Sequence, residues 1–96
     1  MNSKENPEDF YNRFLKQLEE SQNWPGLYMF KFIVKSGSQQ IEKLKDLFGQ
    51  PQQGVSLTSS SNNRYESLTI TIQMKSPQAV VDIYKEAAGL EGVIVL

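Results

Sequence analysis

Tyr65-Glu66-Ser67-Leu68-Thr69-Ile70-Thr71-Ile72-Gln73-Met74 declares itself a β-strand by alternation alone. Leu68, Ile70, Ile72 and Met74 interleave with Thr69, Thr71 and Gln73, and a period of two sends the first set to one face and the second to the other. The apolar members are β-branched or flexible, types that pack well on a pleated, half-buried surface. One face must therefore bury, while the other presents hydroxyls and an amide to water or to a partner. Whatever covers the buried face has to come from the flanking chain.

Just upstream, Val55 and Leu57 alternate with Ser56 and Thr58 as a weaker strand. Ser59 to Asn63 then make a turn in which Asn62 and Asn63 can adopt the positive φ angles of a hairpin loop. Downstream, Ser76-Pro77 is a helix cap followed by proline at the first helical position, and Val80, Ile83, Tyr84 and Ala87 form the buried stripe of a helix closed by Gly89. Leu90 to Gly92 turn back, and Val93 to Leu96 form a final apolar strand. Further upstream, Leu27 to Lys35 is a strand with Tyr28, Phe30, Phe32 and Val34 on the core face and Leu27, Met29, Lys31, Ile33 and Lys35 on the other. Ser36-Gly37-Ser38 leads into a second helix carrying Ile41, Leu44, Leu47 and Phe48, stopped by Gly49 and Pro51. Ser36 would form a capping box with Gln39, whereas Ser38 would place Ile41 there, and the sequence leaves that choice open.

Residues 1–6 are polar and expected to be unstructured. Asn6, Pro7, Glu8 and Asp9 then read as cap, first helical residue and first-turn acids. Phe10, Tyr11, Phe14, Leu15 and Leu18 follow as one stripe, ending near Ser21, before the break at Trp24-Pro25-Gly26. The prediction is an α+β, ferredoxin-like β-α-β-β-α-β sandwich. Its four-stranded antiparallel sheet has order 4-1-3-2, with two helices on one face and an additional amino-terminal helix. Residues 1–22 are read as an amino-terminal extension with one amphipathic helix, and residues 23–96 as a single domain.

This arrangement leaves one sheet face open. Its half under Ser56, Thr69 and Thr71 is polar, and its half around Met29, Lys31, Ile33, Ile94 and Leu96 is apolar enough to need a cover. The amino-terminal helix, through Phe10 and Phe14, or a second subunit is expected to supply it.

Composition narrows the chemistry. The 96 residues include no cysteine and no histidine, which removes disulfides, thiol catalysis and the commonest general base and metal ligand. Ten basic and eleven acidic residues give a formal charge of −1, without the basic face of a dedicated nucleic-acid binder. The aromatics of the central strands are also expected to point away from the open face, where stacked bases would lie. Residues 1–9 do not resemble a secretory signal, and no apolar run is long enough to span a bilayer, so a soluble cytoplasmic protein is expected. Arg13, in the first helix, and Arg64, beside the hairpin, are not expected next to the Gly37 turn, no phosphate-loop pattern is present, and the carboxylates are scattered. No enzyme activity, cofactor or metal is expected.

Trp24-Pro25, the block Tyr65 to Ile72, the pair Ile83-Tyr84 and the terminal Val93 to Leu96 resemble the YbeD-like family of small bacterial proteins of unknown function, over residues 24–96. The resemblance implies a ferredoxin-like fold similar to the ACT regulatory domains that bind amino acids, and it brings no catalytic residues. The turn equivalent to Ser36-Gly37-Ser38 takes part in effector binding in ACT-like domains. Free N–H groups at the following helix could hold a carboxylate or phosphate, although turn chemistry alone accounts for all three residues. The expected function is thus a small non-catalytic module acting through protein association, possible homodimer included, or regulation. The alternative is an ACT-like effector-binding domain for an amino acid or small anion.

Overall fold

Strand alternation and helix punctuation produce seven elements in the computed structural model, which describes residues 6–49, 54–60 and 62–95. They are α1 (Pro7–Ser21), β1 (Gly26–Lys35), α2 (Gln40–Asp46), β2 (Val55–Ser59), β3 (Tyr65–Met74), α3 (Pro77–Ala88) and β4 (Ile94–Val95). The four strands form one antiparallel sheet in the order β2-β3-β1-β4. That is the predicted 4-1-3-2 order read from the other edge, consistent with a ferredoxin-like sandwich. β3 ends with its strict alternation at Met74 and begins three residues before it, at Tyr65, and it pairs with β1 along the full length of both, from Gly26 opposite Met74 to Lys35 opposite Tyr65.

The register joins like parities. Phe30 lies opposite Ile70 and Phe32 opposite Leu68, so the even-numbered residues of both central strands share the buried face. Phe30, Phe32, Val34, Leu68 and Ile70 are fully buried there, together with Leu44 of α2 and Val80 of α3. Rings reinforce the layer: Phe48 meets Phe30 edge-on at 4.9 Å between centroids, and Tyr84 lies 5.3 Å from Phe30.

Helix starts are set by local chemistry. The Asn6 side chain accepts from Asp9 N at 2.8 Å and Ser76 Oγ accepts from Ala79 N at 3.2 Å, each supplying an acceptor to an N–H that has no partner within its helix. At α2 neither Ser36 nor Ser38 is the cap residue. Gln39 occupies that position with helical backbone angles and no side-chain cap, Ser38 Oγ instead accepts from Gln40 N at 3.0 Å, and Ser36 N donates to Arg64 O, which sets Arg64 beside the turn, contrary to the expectation that it lies apart from it. The capping box with Gln39 is therefore absent, because the turn closes around Gly37 at φ 77° and the helix starts two residues later than Ser38.

α1 departs from the expected arrangement. It joins the helical layer instead of crossing the open face: Leu18 is buried in the common core, Phe14 packs edge-on against Tyr84 at 5.2 Å, and Trp24 Nε1 donates to Leu18 O at 2.9 Å. The aromatic stripe finds its complement in the ring cluster beneath α3, which offers larger apolar partners than the mixed surface of the open face. All three helices consequently lie on one side of the sheet.

Candidate functional site

The open face is the candidate surface, and parity assigns its members. β1 contributes Leu27, Met29, Lys31, Ile33 and Lys35, and β3 contributes the odd-numbered residues from Tyr65 to Gln73. β2 adds Ser56 and Thr58, and β4 adds Ile94, which lies opposite Ile33. Leu27, Met29 and Ile94 are 62%, 58% and 53% exposed, whereas Phe30, Phe32, Val34, Leu68 and Ile70 on the other face of the central strands are fully buried. Among the described residues, four of the six large exposed hydrophobics, these three and Tyr65, sit on this one face.

The expected residues Met29, Lys31, Ile33 and Ile94 are thus brought together, with Lys31 exposed opposite Thr69 and Ile33 partly covered by its neighbours. Leu96, the fifth member of the expected apolar half, lies outside the described residues. Phe10 and Phe14 are on the far side of the sheet and do not contribute. There they line a cavity of about 360 Å³ with Tyr11, Tyr28, Tyr84 and Val95. At its wall the Tyr28 and Tyr84 hydroxyls meet at 3.3 Å, and burial, followed by that hydrogen bond, pushes the Tyr84 phenol well above its ordinary value.

Two residues of the surface, Leu27 and Tyr65, were absent from the expected set although the odd-numbered rows contain both. Tyr65 also corrects the expectation that the aromatics of the central strands point away from the open face, since it stands opposite Lys35 at the start of β3. The missed signal is plain parity, carried back to the start of each strand.

At that end of the sheet the Ser36-Gly37-Ser38 turn approaches the β4 lead-in. Lys35, Ser38, Gln40, Tyr65, Glu91 and Ile94 line a depression of about 510 Å³. Gln40 Nε2 donates to Glu91 O at 2.7 Å, while its Oε1 is buried without a partner. Gly37 N donates to Glu66 Oε1 at 3.3 Å, so a side chain of this chain already uses one N–H of the turn. Of the three predicted ligand residues, only Ser38 lines the depression.

Among the described residues no group of histidine, cysteine or carboxylate side chains could hold a metal, and no helix is long and apolar enough to cross a membrane. Residues 19–96 match the family model described as "Protein of unknown function (DUF493)", so most of α1 precedes the matched segment. No curated protein and no solved structure matches the chain.

Proposed function

The chain belongs to the DUF493 family, to which no activity is attached, and on that footing we propose that it is a non-catalytic protein-association module whose working surface is the open sheet face. The observation that carries this reading is the gathering of Leu27, Met29, Ile94 and Tyr65, all exposed, on one side of one sheet. Single exposed hydrophobics are ordinary, but a row of them rimmed by serine and threonine hydroxyls has the composition of a docking surface. Helices cover the opposite face, so the two sides of the sheet differ in what they can accept.

A photo-crosslinking residue placed at position 29 tests this in living cells against the same residue at position 82 on α3. Adducts to other polypeptides are expected from position 29 and not from position 82. Adducts from position 82 alone, or from neither, overturn the proposal.

The ACT-like effector reading draws on a separate observation, the partnerless Gln40 Oε1 beside Lys35 and Ser38 in the depression at the sheet end. An acceptor and an ammonium group near one another suit a small molecule bearing both a donor and an anionic group. Thermal-shift measurements against amino acids and small anions should then show a stabilisation that Lys35→Ala abolishes. No shift across the panel excludes this reading.

A further inference from the structure

Charge is distributed very unevenly between the two sides of the sheet. The three helices carry eight carboxylates against five basic side chains. The open face carries Lys31 and Lys35 and, among the described residues, no carboxylate. Glu66 has the opposite parity and reaches Gly37 N, and Glu91 sits at the rim beside Lys35. Arg64 extends the cationic end, sharing a surface depression with Lys35 and Tyr65. Among the described residues neither lysine has an ion-pair partner. A chain of net charge −1 therefore presents a locally positive, partly apolar surface.

We infer that the occupant of this face is an acidic, apolar-bearing segment of another polypeptide, not a second copy of this chain docked face to face. The inference rests on the protein-association reading and specifies its partner. Two copies packed through this face would bring Lys31 and Lys35 of each into one interface where, among the described residues, the face itself holds no carboxylate and Glu91 stands only at the rim, and like charges brought together oppose association. An acidic segment answers both lysines and still covers Met29, Ile33 and Ile94. The spacing adds a pattern. Lys31 and Lys35 are four residues apart on one strand, about 13 Å at the usual rise of a strand, with Ile33 midway. An extended segment matching that row has an acid at every fourth residue and an apolar side chain between. A single aromatic at the edge, with Met29 and Ile33 in the centre, suits side chains better than a row of stacked bases.

The probes are a peptide repeating Glu-Ser-Leu-Ser, the same peptide with Lys in place of Glu, and a ten-nucleotide oligothymidine, each titrated into the full chain and followed by amide NMR shifts. The Glu peptide is expected to move the Met29, Lys31, Ile33 and Thr69 signals. Its affinity should fall at least tenfold when Lys31→Glu and Lys35→Glu are combined, and that variant should gain affinity for the Lys peptide. Both lysines are exposed surface groups, and a thermal melt of the variant checks that its fold is kept. Equal binding of the two peptides, shifts confined to the helices, or tighter binding of the oligothymidine on the open face overturns the inference. So does sedimentation showing a dimer that Lys31→Glu with Lys35→Glu leaves intact and that Met29→Ser disperses. If crosslinks from position 29 persist unchanged in the charge-reversed variant, the acidic partner is wrong while the association reading stands. If position 29 gives no crosslinks at all, the association reading itself fails.

Discussion

Ser76 shows how much a single oxygen carries at the start of α3. Its hydroxyl supplies an acceptor to Ala79 N, and Pro77 follows in the first turn, where its missing N–H costs nothing. Ser76→Ala should lower stability by about 1 kcal/mol in urea unfolding, the usual cost of a lost cap. Gly54 acts through shape. Its φ is +70°, a β-carbon there would stand 2.8 Å from Thr71 O, and its own carbonyl accepts from Thr71 N at 3.1 Å, fixing the approach to β2. Gly54→Ala should cost about 1–3 kcal/mol in the same measurement, since it adds both a left-handed conformation and a collision with backbone. Tyr84 couples the core to pH. Its folded phenol ionises well above the ordinary tyrosine value because it is buried and bonded to Tyr28. As pH rises past about 10, the unfolded chain releases this proton while the folded chain retains it, so stability must fall with pH there. Tyr84→Phe should flatten that alkaline slope in melts recorded on either side of pH 10.

At the scale of elements, β3 was legible in the sequence because its alternation states both its type and its face, and β1 paired with it by matching parity. The cap of α2 was not legible, since Ser36 and Ser38 satisfy local sequence rules equally and the turn gives the cap position to neither, placing Gln39 there instead. The position of α1 was hidden for a different reason: an amphipathic stripe says that one side of a helix will bury, not which surface it will find. Phe14 meets Tyr84 and Leu18 enters the shared core, contacts between residues far apart in sequence that no local pattern specifies. The candidate surface followed suit. Met29, Lys31, Ile33 and Ile94 were readable from strand parity, whereas the expected contribution of Phe10 and Phe14 failed with the placement of their helix. Leu18→Ala should therefore destabilise the whole molecule by about 2–4 kcal/mol, as a buried large-to-small change does, in a single cooperative transition by circular dichroism.

For the whole molecule, the two sides of the sheet answer to different demands. Substitutions in the packed helical layer are felt as stability, while those on the open face should leave stability within about 0.5 kcal/mol and register only in association. Met29→Ser combined with Ile94→Ser is expected to melt with the parent chain and to lose the crosslinks formed from a probe at position 27. Retained crosslinks would show that the apolar row is not the contact. The separation of charge reaches beyond the contact itself. With the excess of carboxylates on the helical layer and the lysines on the far side of the sheet, the described residues set up an electric dipole across the sheet. Such a body turns as it diffuses toward a charged surface, showing lysines to an anion and helices to a cation, so it can arrive correctly oriented before any side chain has touched.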